Sequence, residues 1–149
     1  MAKIPAFSLP GSDGATYSAK DLKGKPYVLY FYPKDATPGC TQEACDFRDQ
    51  HSSLTKLGVR VFGVSPDPIK SHEKFIAKQK LNFVLLADEQ HELADKLGVW
   101  KEKSMYGRSY MGIERSTFLV AADGTIAKEW RAVKVAGHVT EVVSAAKAL

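Results

Sequence analysis

The chain has 149 residues, of which 44% are hydrophobic and 26% are charged, as expected of one compact domain spanning residues 1–149. Its formal net charge is +4, but basic and acidic residues are interleaved, which argues against a nucleic-acid partner. No apolar run approaches the ~18 residues of a membrane span, and residues 1–5 lack the apolar core of a signal peptide. We therefore expect a cytoplasmic protein, although an organellar protein without its transit peptide would have the same features.

The first half of the chain is predicted to form a hairpin followed by alternating strands and helices. The predicted elements are strands at 6–9 and 15–18, a helical turn at 21–26, a strand at 27–32, a helix at 38–56 and a strand at 59–65. Turn residues at 10–14 predict the hairpin. The strand at 27–32 is apolar throughout, which indicates that both faces of its sheet are covered.

The second half continues the alternation and then changes to an antiparallel pattern. The predicted elements are a helix at 69–80, a strand at 81–86, a short helix at 89–97 capped by Asp88, a loop at 99–112, strands at 116–120 and 125–130, and a helix at 139–148. Asp123-Gly124 between the last two strands is a strong hairpin signal.

This order of elements predicts an α/β fold with a central mixed β-sheet flanked by helices. It is the thioredoxin-like arrangement with an N-terminal β-hairpin extension. A thioredoxin itself would carry Cys-x-x-Cys at the start of its first long helix. Here the spacing is Cys-x-x-x-x-Cys, from Cys40 to Cys45, and these are the only cysteines in the chain.

Cys40 lies where a buried strand is predicted to lead into the long helix. Thr37 is a favourable N-cap residue and Pro38 suits the first helical position, so Cys40 falls in the first turn. The positive end of the helix dipole favours a thiolate there, and the thiolate is the nucleophilic form of cysteine. The Thr37 hydroxyl could donate to the sulfur anion or to a substrate oxygen.

The spacing of Cys40 and Cys45 is unsuited to a static disulfide. In an intact helix their Cα atoms would be ~8.6 Å apart and would point ~140° away from each other. A disulfide requires Cα atoms closer than about 7 Å. A bond between these cysteines therefore requires the first turns of the helix to unwind, as in a bond that forms and breaks during a cycle.

The motif Pro33-x-x-x-Thr37-x-x-Cys40, with Cys45 five residues later, resembles the active-site motif of the peroxiredoxins. The similarity is to the bacterioferritin-comigratory, or Q-type, branch, whose second cysteine lies in the same helix. Two further segments resemble this family: residues 114–124, with an arginine-bearing strand and an Asp-Gly turn, and residues 130–138, with the C-terminal signature. The resemblance covers nearly the whole chain.

The resemblance implies a role for each residue of the motif. The implied site comprises Cys40 as the peroxidatic cysteine, Cys45 as the resolving cysteine, Thr37, Pro33 and Arg115, with Glu43, Pro38 and Tyr32 in support. Arginine offers several donors in a fixed fork, able to hold sulfur and a peroxide oxygen together. Pro33 would shield the thiolate from water, and Glu43 would brace Arg115.

The same resemblance implies a thiol-dependent peroxidase of hydrogen peroxide and alkyl hydroperoxides. The reaction would leave a sulfenic acid on Cys40, which Cys45 would condense to a disulfide. An external dithiol must then reopen that bond, with thioredoxin as the implied reductant and glutaredoxin as a second candidate. We expect a monomer with no cofactor and no metal, because Cys45 lies in the same chain and the four histidines form no zinc signature.

Other interpretations of these residues remain open at the level of sequence. Cys40 could be a buried structural thiol, Cys45 a small core residue, Arg115 a surface charge and Glu43 an ordinary helix-face carboxylate. Two other functions would use the same fold, namely a protein dithiol–disulfide oxidoreductase and a peroxide-sensing redox module. The absence of Cys-x-x-Cys argues against the oxidoreductase.

Overall fold

A computed structural model describes residues 2–149 of the chain. Its strands are β1 (Ser8–Pro10), β2 (Thr16–Ser18), β3 (Tyr27–Phe31), β4 (Arg60–Ser65), β5 (Val84–Ala87), β6 (Trp100–Met105), β7 (Arg108–Ile113), β8 (Ser116–Val120) and β9 (Ile126–Trp130). Its helices are α1 (Ala19–Leu22), α2 (Pro38–Lys56), α3 (Ile69–Gln79), α4 (Glu92–Lys96) and α5 (His138–Lys147).

The centre of the fold is a five-stranded mixed sheet in the order β5-β4-β3-β8-β9. Strand β3 pairs in parallel with β4 and antiparallel with β8, and all five of its residues are buried. Its side chains alternate between two hydrophobic clusters, because successive residues of a strand point to opposite faces. One cluster contains Val28 with residues of α2, α3 and α5, and the other contains Leu29 with residues of α1 and α4.

Helix α2 packs a mostly apolar face on the sheet. It begins at Pro38 and ends at Lys56, as predicted. Five of its residues are buried, at the spacing of a single helix face. These residues are Cys40, Glu43, Ala44, Phe47 and Leu54. A charged residue within this otherwise apolar face requires a buried partner.

The predicted loop at 99–112 is wrong, because this segment forms the antiparallel hairpin β6–β7. Tyr106 and Gly107 at its tip both have positive φ, which is the geometry of a tight two-residue hairpin turn. The sequence signal was weak because the turn is Tyr-Gly rather than Asn-Gly and most side chains of both strands are exposed. Smaller differences are found at other bounds. Strand β5 and helix α4 start three residues later than predicted, β1 starts two residues later, and the helical turn predicted at 21–26 is α1 at Ala19–Leu22.

The N-cap residue of α4 is His91 rather than the predicted Asp88, because the helix starts three residues later than predicted. The Asp88 carboxylate still serves the start of α4, since it accepts hydrogen bonds from the backbone N–H groups of Glu92, Leu93 and Ala94. Among residues 2–149, no helix combines the length and the hydropathy that a membrane crossing requires. The predicted mixed sheet with flanking helices and an N-terminal hairpin is confirmed.

Candidate active site

The Cys40 sulfur lies beside an arginine that approaches from the neighbouring strand. The β3–β8 register pairs Phe31 with Ser116, so Arg115 stands next to the end of β3, where the chain turns into α2. Arg115 Nη2 donates to Cys40 Sγ at 3.3 Å, and Arg115 Nη1 donates to Glu43 Oε1 at 2.7 Å. Arg115 is therefore not a surface charge, and Glu43 is not an ordinary helix-face carboxylate.

Gly39 makes room for this contact. A Cβ at position 39 would lie 3.2 Å from Arg115 Nη2, tighter than an ordinary carbon–nitrogen contact. Gly39 occupies the first turn of α2, where its backbone φ is not positive, so its role here is space rather than conformational freedom. The absence of a side chain lets the guanidinium lie across the start of the helix and reach the sulfur.

The Arg115 guanidinium contacts two acidic groups in this site, the Cys40 thiol and the Glu43 carboxyl group. Cys40 is 1% exposed and Glu43 is fully buried. Burial raises the pKa of Glu43 to about 7, against the lowering effect of the Arg115 guanidinium. Although burial lowers the pKa of Arg115, the neighbouring Glu43 and Cys40 raise it above its ordinary value, so the guanidinium stays charged. Within residues 2–149, no donor forms a hydrogen bond with the second carboxylate oxygen of Glu43, Oε2.

Thr37 differs in detail from the sequence-based expectation. Its backbone has the N-cap conformation of α2, but its hydroxyl makes no capping hydrogen bond. Instead, Oγ1 donates to the backbone carbonyl of Lys34 at 2.8 Å. A hydroxyl has one proton, so this oxygen presents only lone pairs towards a substrate. It can accept a hydrogen bond from a peroxide O–H rather than donate one.

The remaining motif residues shape the surroundings of the thiol. Pro33 is half-buried in the turn before α2, and Pro38 is exposed at the first helical position. Tyr32 is 1% exposed, and its hydroxyl donates to the carboxylate of Asp35. Tyr32 therefore supports the turn from the inside.

Cys45 lies five residues further along α2 and faces a different neighbour. Its thiol is half-buried and donates to Gln79 Oε1, at the end of α3, at 3.6 Å. Both cysteines are free thiols, and α2 is unbroken between them. An unbroken helix with unbonded cysteines agrees with the argument that a bond between them requires α2 to unwind.

A buried polar network that the sequence did not predict lies next to this site. Asp35, in the turn before α2, bonds to His72 of α3, and Asp67 joins them through the Asp35 backbone N–H. Ligand atoms of these three residues lie within 4.8 Å of one another. The two carboxylates, however, already accept hydrogen bonds from protein donors, so the cluster is satisfied as a hydrogen-bond network. Three polar residues on separate segments give no shared sequence signal.

Comparison with known proteins places this fold and site in one family. Residues 1–129 match the AhpC/TSA family. The chain is 53% identical to peroxiredoxin Bcp of Bacillus subtilis over 97% of its own length and 92% of that protein. It is 45% identical to peroxiredoxin Bcp of Escherichia coli, over 90% of this chain and 86% of that one. A structure of Xanthomonas campestris peroxiredoxin Q superposes with a TM-score of 0.91 at 45% identity, covering 95% and 90% of the two chains.

The thioredoxin-like fold and the buried thiol–arginine pair define a thiol-dependent redox enzyme. The chain belongs to the AhpC/TSA family and is a peroxiredoxin of the Bcp type, a thiol-dependent peroxidase. The resemblance and the fold class stated from sequence are thereby confirmed.

Proposed function

We propose that this protein reduces hydrogen peroxide and alkyl hydroperoxides with Cys40 as the peroxidatic cysteine and Cys45 as the resolving cysteine. The observation that carries the proposal is the Arg115 guanidinium, which donates to Cys40 Sγ and to Glu43 in a buried site. The proposal for organic hydroperoxides is supported by the bacterioferritin comigratory protein of X. campestris, whose structure is described for alkyl peroxide reduction and is 44% identical.

In the first step the Cys40 thiolate attacks one oxygen of the peroxide and the O–O bond breaks. The sulfur becomes a sulfenic acid, and the second oxygen leaves as an alkoxide or hydroxide that takes up a proton. Arg115 donors aimed at the reacting atoms stabilise the charge that develops on the leaving oxygen. Thr37 Oγ1, whose proton is held by the Lys34 carbonyl, accepts the peroxide O–H and fixes its orientation. Pro33 keeps water from the thiolate.

In the second step the Cys45 thiolate attacks the Cys40 sulfenic sulfur, a disulfide forms and water leaves. The two sulfurs cannot meet while α2 is intact, because residues five positions apart point in different directions. We propose that α2 unwinds across residues 40–45 to bring them together. Loss of the Cys45–Gln79 and Arg115–Cys40 contacts accompanies this change.

In the third step an external dithiol reopens the disulfide by exchange. We propose thioredoxin as this reductant, with glutaredoxin as the second candidate. Resolution within one chain needs no partner subunit, which supports a monomer, and the thiol chemistry needs no metal or cofactor. We place the protein in the cytoplasm, where reductases keep thiols available for the next cycle.

The proposal is tested by peroxide turnover with thioredoxin, thioredoxin reductase and NADPH. Wild type is expected to turn over repeatedly, Cys40→Ser not at all, and Cys45→Ser once before it stalls. Full activity of Cys40→Ser would overturn the peroxidatic assignment, and sustained cycling of Cys45→Ser would overturn the resolving assignment. Replacing thioredoxin with glutaredoxin in the same assay identifies the reductant. Oxidation of wild type without turnover by either would favour the peroxide-sensing module.

A further inference from the structure

The turn that carries the active site is held in a strained conformation. It comprises residues 33–37 and connects β3 to α2. Within it, Ala36 has φ of 65°, in the left-handed region. A Cβ disfavours this region, and such a conformation persists only where the surrounding structure over-determines it. Ala36 immediately precedes Thr37 and is itself exposed, so the constraint must come from its neighbours.

Asp35 supplies that constraint. Its Oδ1 accepts from the Tyr32 hydroxyl. Its Oδ2 accepts from Ser71 Oγ at 2.8 Å and contacts His72 Nδ1 at 2.7 Å. Its backbone N–H donates to Asp67 Oδ2 at 2.8 Å. These contacts tie the turn to the end of β3 on one side and to the segment that begins α3 on the other.

The Asp35–His72 pair is buried and is fixed from both sides of the imidazole ring. His72 Nδ1 lies 2.7 Å from Asp35 Oδ2, and Nε2 lies 3.0 Å from the backbone carbonyl oxygen of Leu86. Burial would raise the pKa of Asp35, but the hydrogen bonds from His72 and Tyr32 hold it below its usual value. The two ring contacts fix the orientation of His72, and through it the position of Asp35.

We infer that Asp35 and His72 are positioning residues for the peroxidase reaction, locking the turn so that Thr37 and the first turn of α2 stay aligned with Arg115. This inference rests on the proposed function of Cys40. Neither residue approaches the sulfur as a hydrogen-bond partner, so both act through the backbone of the turn. Removing one partner would leave a buried polar group of the other without its hydrogen-bond partner, and the turn would lose its anchor.

The test compares the reaction of Cys40 with peroxide and with a reagent that does not need Thr37. The first measurement is the rate constant for oxidation by one equivalent of hydrogen peroxide in stopped flow. The second is the rate constant for alkylation by iodoacetamide at a pH where that rate has reached its plateau. The proteins are wild type, Asp35→Ala, Asp35→Asn and His72→Gln. The matched control is Asp88→Ala, which also removes a buried carboxylate that accepts several hydrogen bonds but serves α4.

Asp35→Ala and His72→Gln are expected to lower the peroxide rate constant about tenfold to a hundredfold, because small misplacements of reacting groups have effects of this size. Alkylation should stay within about threefold of wild type, since it needs the Cys40 thiolate but no hydrogen bond from the reagent to Thr37. Asp35→Asn should lose less than Asp35→Ala, because an amide can donate to a neutral Nδ1 and still accept from Tyr32. Asp88→Ala should react with peroxide as wild type does.

Peroxide rates of Asp35→Ala and His72→Gln that match wild type, or that fall in the same proportion as alkylation, would overturn the inference. If Asp35→Ala does not fold, Asp35→Asn carries the test, and a rate equal to wild type overturns it. A wild-type protein that does not react with peroxide would overturn the proposed function instead, so the two failures are distinguishable.

Discussion

Arg115 Nη2 lies 3.3 Å from the Cys40 sulfur, although the two residues are 75 positions apart in the chain. The antiparallel register of β3 and β8 produces this contact, because it places Arg115 at the point where β3 ends and α2 begins. The same guanidinium holds Glu43, so one side chain joins the thiol, the helix and the sheet.

Replacing Arg115 with Met should slow the reaction of Cys40 with peroxide by about 10²–10³, the effect of removing one donor to developing charge. The rate of Arg115→Lys should lie between those of wild type and Arg115→Met. Lysine keeps the positive charge but lacks the guanidinium fork that contacts Cys40 Sγ and Glu43 at the same time. Stopped-flow oxidation under single-turnover conditions measures the rate. Arg131→Met is the matched control, since Arg131 holds the backbone carbonyls of Leu97 and Gly98 instead. An equal loss in both variants would argue against a specific role for Arg115.

Replacing Gly39 with Ala should separate stability from activity. Alanine in a helix is favoured over glycine by up to about 1 kcal/mol, so α2 should not be weakened. The added Cβ would lie 3.2 Å from Arg115 Nη2 and should displace it, lowering the peroxide rate about tenfold. Gly112→Ala is the control, because its Cβ would make only ordinary contacts at 3.5 Å. A wild-type peroxide rate in Gly39→Ala would show that the added Cβ does not disturb the contact between Arg115 and Cys40 Sγ.

Oxidation should unwind the start of α2 and leave its remainder intact. Hydrogen exchange after one equivalent of peroxide is expected to lose protection over residues 38–46 and to keep it over residues 47–56. Cys45→Ser is the control, because it can form a sulfenic acid but not the disulfide, and its helix should stay protected. Protection retained across residues 38–46 in a protein with the Cys40–Cys45 disulfide would refute the geometric argument.

The contribution of Glu43 to the free energy of unfolding should fall as the pH rises. Its pKa is about 7 in the folded protein against an ordinary 4.5, so the unfolded chain loses this proton first. The stability contribution is fully present below pH 4.5 and is lost as the pH rises through 7, by about 3 kcal/mol. Urea unfolding of wild type and Glu43→Gln from pH 4 to 8 measures the difference. A difference that does not change with pH would contradict the burial argument.

The contribution of His138 to the free energy of unfolding should instead rise with pH, over nearly the same pH range. Burial lowers its pKa to about 4 from an ordinary 6.5. Its contribution is present above pH 6.5 and is lost as the pH falls through 4. Wild type should therefore gain stability relative to His138→Gln as the pH rises, in the same urea experiment. If the free energy of unfolding of wild type instead fell relative to that of His138→Gln as the pH rises, the argument that burial disfavours charged His138 would be contradicted.

The sequence predicted those parts of the molecule that depend on local signals. The bounds of α2 follow from Pro38 at its start and Gly58 after its end, and both bounds are confirmed. The hairpin β6–β7 was missed because its tip, Tyr106-Gly107, is an uncommon turn pair and most side chains of its strands are exposed. Exposed strands give little hydrophobic alternation, which is the main signal for a strand.

In the active site, too, the residues with local sequence signals were predicted and those without such signals were not. Cys40, Thr37 and Pro38 were placed from local helix-start chemistry, and Arg115 was named only through family resemblance. Its contact with the sulfur depends on the register of two strands, which no local pattern specifies. Asp35 and His72 were missed altogether, because each is an ordinary polar residue until the packing of α3 brings them together. Buried polar partners from separate elements are the part of a site that sequence alone conceals.

The most direct test of the account is the covalent product of one turnover. Wild type treated with one equivalent of hydrogen peroxide should lose two hydrogen atoms by intact mass, and peptide mapping should join Cys40 to Cys45 within one chain. Cys45→Ser should gain one oxygen on Cys40, and Cys40→Ser should stay unmodified. A Cys40→Ser protein that consumes peroxide at the wild-type rate, or a disulfide that joins two chains, would contradict the account.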